Sequence, residues 1–305
     1  MTYHGILPIN KPKGMTSHDV VFKARKLLKM KKIGHTGTLD PDVEGVLVLC
    51  LGKATKLVNY LMESPKAYQG GIFLGQATET EDASGAVIAS QPVLNPLTDA
   101  QVDQAMAAMT GEIQQIPPYY SAVKVKGKRL YEYARAGQRV ERPVRQAQIY
   151  DFQRQGATLY DPQDQSQSWN FQVTCSKGTY VRTLAVDLGK SLGYPAHMTW
   201  LQRTMAAGFS LDQTYSLAWL DQASPSQIEA AIYSLDHVKK ILPWLALKPD
   251  QVFSIQHGQV VDQDFFDQDL SQATALYYQN QLLAIYGPHP DKAGRLKPFA
   301  MFPDL

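Results

Sequence analysis

Apolar positions along this chain switch between two spacings, and the switches mark its elements. Residues 5–10 form a short apolar run that predicts a strand, closed by the turn Lys11-Pro12-Lys13-Gly14. Val20, Val21, Ala24, Leu27 and Leu28 then recur at helical spacing, with Thr16 or Ser17 placed to cap that helix. Its wetter sides carry Lys23, Arg25, Lys26 and Lys29. The unbroken apolar run 46–51, ending at Gly52, has the character of a strand buried on both faces. Further on, the pattern predicts a helix over 54–62, a strand over 67–74 and a helix opened by Thr98-Asp99. Strands over 146–155 and 168–176 follow, with the Gln/Asp-rich stretch 161–167 as an exposed hairpin tip. A helix from about 179 to 192 ends at Gly193. Residues 197–204 then lead into a strand near Phe209.

Strands and helices mix here without regular βαβ alternation, which argues for an α+β fold. Leu245–Leu247 followed by Lys248-Pro249 is a candidate boundary. Beyond it, short β-like runs at 273–278 and 282–286 predict a small β-rich appendage over 246–305, leaving 1–245 as the main body.

Composition refines this picture only through its distribution. The 305 residues carry a net charge of just +2, but residues 1–60 hold ten Lys/Arg against four Asp/Glu. Residues 120–145 hold eight against two, and residues 246–305 four against seven. Two basic zones and an acidic tail fit a body that binds a polyanion, although solvated charged faces produce the same count. Cys50 and Cys175 lie in apolar or β-like runs, expected to be buried free thiols in a reducing cytosol. No charged-then-apolar leader opens the chain and no apolar run could span a membrane, so a cytoplasmic location is expected. No metal-ligand spacing, Walker loop, dinucleotide fingerprint or nucleophile elbow is present.

Three stretches could carry chemistry. In Gly34-His35-Thr36-Gly37-Thr38-Leu39-Asp40-Pro41, two glycines free the backbone and Pro41 pushes Asp40 out of helical conformation. The loop presents an imidazole and a carboxylate beside Lys29-Met30-Lys31-Lys32; an aspartate that merely caps its own turn is the plain alternative. In Cys175–Leu184, a strand end, a glycine and a helix start could project Tyr180 and Arg182 together, Arg182 with a fork suited to carboxylate or phosphate. The segment 124–145 interleaves Lys124, Lys126, Lys128 and Arg129 with Tyr131 and Tyr133, the combination that unpaired RNA calls for. An amphipathic surface segment reads the same way. His18 and His197 are expected in turn or core positions.

Taken together, these residues resemble the bacterial tRNA pseudouridine synthase B family. The similarity runs from Gly5 to about Phe209, through the 34–41 loop, Asn10–Ser17, Gln114–Ala122, Leu130–Gly137 and Cys175–Leu188. The resemblance implies a mixed, largely antiparallel central sheet flanked by helices, with a PUA-like C-terminal domain and a basic insertion at about 114–146 that closes over RNA. It implies formation of pseudouridine at position 55 in the tRNA T loop, without metal or cofactor and without an obligate protein partner. By the same resemblance, Asp40 is the catalytic carboxylate, with Tyr180 and Arg182 beside it and Arg182 held against it. Tyr68 stacks on the target uracil, Leu201 touches the base, and His35 takes the place of the flipped nucleotide. Lys11 and Pro12 shape the pocket floor. Glu44 departs from the pattern, standing where a small or hydroxyl residue is expected. Two further readings share the scaffold: a non-catalytic tRNA-binding or folding chaperone, and a synthase acting on another RNA or through a guide.

Overall fold

The computed structural model describes residues 2–302. Its backbone divides into two compact units, one built from residues up to Pro41, Val46–Ser64 and Ala206 onward, the other from Asp42–Gly45 and Pro65–Met205.

In the first unit the strand Gly5–Lys11 leads through the Gly14 turn to the helix Ser17–Leu27. Thr16 is the cap: its Oγ1 accepts the Asp19 N–H at 3.0 Å while the Asp19 carboxylate accepts the Thr16 N–H at 2.8 Å. Val20, Val21 and Ala24 pack inward on Leu7, Ile9, Leu47 and Leu49. The strand Glu44–Leu51 runs antiparallel to Ile33–His35. Its odd positions, Leu47, Leu49 and Leu51, enter that core, whereas Val46, Val48 and Cys50 enter a second one. Because strand side chains alternate faces, burial of both faces leaves no polar position in the run. The expected helix over 54–62 is two pieces, a 3₁₀ stretch Gly52–Leu57 and the α-helix Val58–Glu63. The first turn is tightened where Thr55 Oγ1 donates to Gly52 O at 2.8 Å.

The β-rich C-terminal domain has strand order Trp244–Ala246, Thr274–Tyr278, Gln281–Pro288, Arg295–Met301, Val261–Asp262. One face packs Leu276, Leu283, Ala284 and Tyr286 against Ile255, Phe266 and Leu270. Ala275, Tyr277, Leu282 and Ile285 turn the other way, into the core that holds Ile6, Val48, Leu57 and Phe209. The division of the chain at about 245 remains a proposal from sequence; residues 303–305 of that segment lie outside the described residues.

The second unit is built on the strands Ala196–Ala206, Lys66–Leu74, Ser166–Cys175, Arg145–Asp161 and Gly111–Gln115, neighbours in that order. Pairing from Lys66–Leu74 outward is antiparallel, while Gln202 and Arg203 run parallel to Glu44 and Gly45. This is the expected mixed, largely antiparallel arrangement. Two local expectations change. The hairpin tip shrinks to 162–165, because Gln167 is only 2 % exposed and its amide is held by the Leu97 N–H at 2.8 Å and the Leu97 carbonyl at 2.7 Å. A buried glutamine whose amide pairs with backbone continues a strand, whatever its polarity suggests. Residues 197–204 themselves lie inside a strand, Ala196–Ala206, and the expected strand near Phe209 follows it as the short Phe209–Ser210. His197 is buried there, its Nδ1 2.9 Å from Gln76 O and its ring tilted on Phe73.

Both cysteines are buried free thiols, as expected, and burial pushes Cys50 up to about 12 and Cys175 to about 11. His237 is buried too, stacked on Phe209 at 3.9 Å with Nε2 2.7 Å from Ala207 O. Burial lowers its pKa below the ordinary 6.5, against the raising effect of that hydrogen bond. Its contribution to stability is therefore present above 6.5 and declines as pH falls towards the lower folded-state value. Thermal melts between pH 7.5 and pH 5 are expected to show a smaller loss for His237→Gln than for the wild type; parallel curves would assign the loss to other groups.

Candidate active site

The loop carrying Asp40 is shaped from beneath by the first helix and strand. Leu39 is buried, its N–H donating to Ser17 Oγ at 2.8 Å, and Ser17 Oγ lies 3.4 Å from Leu39 O. On the far side of the aspartate, Pro41 O accepts from the Gly14 N–H at 2.9 Å and from Lys11 Nζ at 3.0 Å. Lys11 Nζ also donates to Pro12 O at 2.9 Å, and its side chain is completely buried. Lys11 and Pro12 are thus brought to the Asp40 loop. A buried ammonium answered by carbonyl oxygens fixes backbone while adding positive potential. Asp40 itself is exposed, and both its neighbours are hydrogen-bonded to the elements beneath the loop.

The two glycines of the loop do different work. Gly37 has φ +142°, a conformation that disfavours side chains, and its N–H donates to His35 Nδ1 at 3.3 Å. Gly34 has no such φ; a Cβ there would stand 3.1 Å from Val58 Cγ2, so its role is space. His35 is half-buried and meets His18 edge-on at 5.8 Å. Glu44, half-buried, accepts from Gln202 Nε2 at 3.2 Å.

In the second unit, Tyr68 is 8 % exposed on the strand Lys66–Leu74, opposite Val173, and Leu201 is 7 % exposed on Ala196–Ala206. Gly178 with φ +80° turns the chain out of the strand, and Tyr180, still extended, precedes the helix Val181–Ser191. The Gln115 side chain clamps the Tyr180 backbone, accepting its N–H at 2.9 Å and donating to its carbonyl at 3.1 Å. Arg182 is 7 % exposed and uses its fork on two carbonyls, Thr80 O and Tyr120 O, each at 2.9 Å. Asp82 Oδ2 lies 3.7 Å from its Nη1. Thr183 Oγ1 donates to Glu81 Oε2 at 2.7 Å, and burial raises the Glu81 pKa. Gln115, Glu81 and Asp82 were not singled out from sequence. Their only signal is a short acidic run and one glutamine in a polar strand, neither of which has diagnostic spacing.

The basic segment opens with a hairpin, which leads into the short helix Leu130–Arg135. Lys124–Val125 pairs with Lys128–Arg129 across Lys126 (φ +49°) and Gly127 (φ +85°), the double positive φ of a two-residue turn. Lys124, Lys126, Lys128 and Arg129 are all exposed. Tyr133 OH donates to Val125 O at 3.0 Å, while Arg129 and Arg135 lie 5.8 Å and 5.3 Å from the centre of the Tyr131 ring. Cations and aromatics are therefore presented together. Among the described residues no group of three or more His, Cys, Asp or Glu is arranged to hold a metal ion, and no helix is long and apolar enough to cross a membrane.

Comparison with known proteins places this architecture. Over 99 % of its length the chain superposes on 84 % of a chain from the crystal structure of a Cbf5-Nop10-Gar1 complex, with a TM-score of 0.70 and 25 % identity. A chain of an H/ACA RNP bound to a substrate RNA containing 2′-deoxyuridine superposes with a TM-score of 0.68 at 22 % identity, over 99 % of this chain and 85 % of that one. The fold is that of the pseudouridine synthases. The N-terminal domain of the TruB family pseudouridylate synthases matches residues 25–181, and the tRNA pseudouridylate synthase B C-terminal domain matches 182–240. Full-length relatives agree: tRNA pseudouridine synthase B of Halalkalibacterium halodurans is 47 % identical, covering 99 % of this chain and 98 % of its own. Its counterpart from Lactiplantibacillus plantarum is 48 % identical over 98 % of each. The chain belongs to the TruB family.

Proposed function

We propose that this protein isomerises uridine to pseudouridine at position 55 in the T loop of tRNA, with Asp40 as the attacking carboxylate. The observation that carries the proposal is the Asp40 loop. One exposed carboxylate is held between two backbone anchors, Ser17 on one side and Lys11 with Gly14 on the other. A positioned nucleophile is what a reaction with no external reagent requires. The glycosidic bond from C1′ to N1 breaks and one from C1′ to C5 forms; N1 gains a proton and C5 loses one, so atoms balance without a cofactor.

Each remaining residue then has a task in this reading. The uridine must leave the loop stack at a cost of a few kcal/mol. Stacking on Tyr68 returns about 1–3 kcal/mol, and His35 fills the gap that the nucleotide leaves. Arg182 supplies a fixed, always-charged guanidinium to the reacting centre. Tyr180 stands with Arg182 at the reacting centre, and Leu201 bounds the base. Lys124, Lys126, Lys128 and Arg129 grip phosphates, which sets affinity without reading sequence. Residues 246–305 would add a PUA-like RNA contact, tempered by their acidity. The relatives named as tRNA pseudouridine synthase B support tRNA as the substrate.

The deciding experiment incubates the protein with an unmodified tRNA transcript and maps pseudouridine by carbodiimide-dependent primer extension. A stop at T-loop position 55 is expected. Excess enzyme that yields no stop there would overturn the reading.

A further inference from the structure

Beside the Asp40 loop, the helix Ser17–Leu27 exposes a strip that none of these roles uses. His18 meets His35 edge-on at 5.8 Å. Two turns along, Arg25 Nη2 donates to Ile33 O at 3.0 Å, so the side of the helix bearing residues 18 and 25 lies along the strand Ile33–His35. Residue 22, four positions after His18 and three before Arg25, belongs to that same side. It is Phe22, 60 % exposed, and Lys26 Nζ stands 4.6 Å from its ring centre. The surroundings are of one sign. Residues 20–39 contain Lys23, Arg25, Lys26, Lys29, Lys31 and Lys32 and no Asp or Glu. The one acid on the helix, Asp19, is used in the Thr16 cap.

A large apolar ring at the surface of a helix loses free energy to water unless something covers it, and its own core face is already filled by Val20, Val21 and Ala24. An apolar protein partner would have to desolvate the surrounding ammonium groups. A polyanion with flat faces would not: its phosphates replace the counterions of the lysines while a base covers the ring. From His18 to Lys26 the strip is about 12 Å long at the rise of an α-helix, enough for a short single-stranded stretch.

We propose that Phe22, flanked by His18 and Lys26, is a stacking site for an unpaired base of the RNA substrate lying outside the T stem-loop. The proposal rests on the reading of the protein as a tRNA-modifying enzyme. Phe22 is the platform and Lys23, Lys26 and Lys29 attract the adjoining phosphates. His35 would hold the loop being modified while the strip beside it holds a second part of the same molecule. Full-length tRNA would then bind more tightly than the hairpin alone.

The test is equilibrium filter binding of wild type, Phe22→Ala, Phe22→Leu and Phe22→Trp to a full-length tRNA transcript and to the isolated T stem-loop. Phe22→Ala is expected to weaken tRNA binding about fivefold or more, the loss of one stacked base, and to bind the stem-loop like wild type. Phe22→Trp should restore binding and Phe22→Leu should not, because an aliphatic side chain offers area without a π-face. Unchanged tRNA affinity for Phe22→Ala, equal losses on both RNAs, or restoration by leucine would each overturn the proposal. Unaltered thermal melting of Phe22→Ala separates lost binding from lost folding. Since binding is read without turnover, a wild type that binds tRNA but forms no pseudouridine would defeat only the catalytic reading; one that binds no tRNA would defeat both.

Discussion

Asp40→Asn is expected to abolish pseudouridine formation while leaving tRNA affinity within about tenfold, because affinity is spread over many phosphate contacts. The loop should survive the change, since it is pinned through its neighbours: Leu39 to Ser17, and Pro41 to Lys11 and Gly14. What the amide lacks is nucleophilicity, as its lone pair is delocalised and it carries no charge to give. Single-turnover mapping of pseudouridine at high enzyme concentration, beside filter binding, checks both halves. Turnover equal to wild type would show that another group attacks.

Arg182→Lys should lower kcat by at least about a hundredfold, the scale of losing one preorganised donor in a reacting site. The guanidinium reaches Thr80 O and Tyr120 O simultaneously, each at 2.9 Å, with Asp82 at 3.7 Å. A lysine ammonium on a flexible stem cannot reproduce that planar fork. One of the two carbonyls would lose its partner, at a stability cost of about 1–3 kcal/mol if it is left unsatisfied. KM for tRNA should move little, because in the proposed reading the phosphate contacts belong to the basic hairpin at 124–129 and not to Arg182. A large rise in KM with unchanged kcat would make Arg182 a binding residue.

How far pattern alone reaches is clearest from particular elements. The helix Ser17–Leu27, its Thr16 cap and the doubly buried strand Glu44–Leu51 follow from spacing and hydrogen-bonding chemistry that act within a few residues. The motif order from Asn10 to Leu188 is enough for the family. Pattern failed where a polar side chain is bound from far away. Gln167 looked like loop because its partner, Leu97, lies 70 residues off. Gln115 drew no notice because what it clamps, Tyr180, lies 65 residues away.

The Asp40 loop shows the same split. Its irregular backbone and exposed carboxylate could be inferred from two glycines and Asp40-Pro41, since local sterics dictate them. That Gly34 is needed for room beside Val58 and Gly37 for its positive φ could not, because packing distance and conformation leave the same letter in the sequence. Nor could the buried Lys11 ammonium beneath Pro41, 30 residues on, or the fork of Arg182 closed on Thr80 and Tyr120. Elements and family are written in short-range pattern. The anchoring of the functional residues is decided only when the folded chain brings distant carbonyls to the cations.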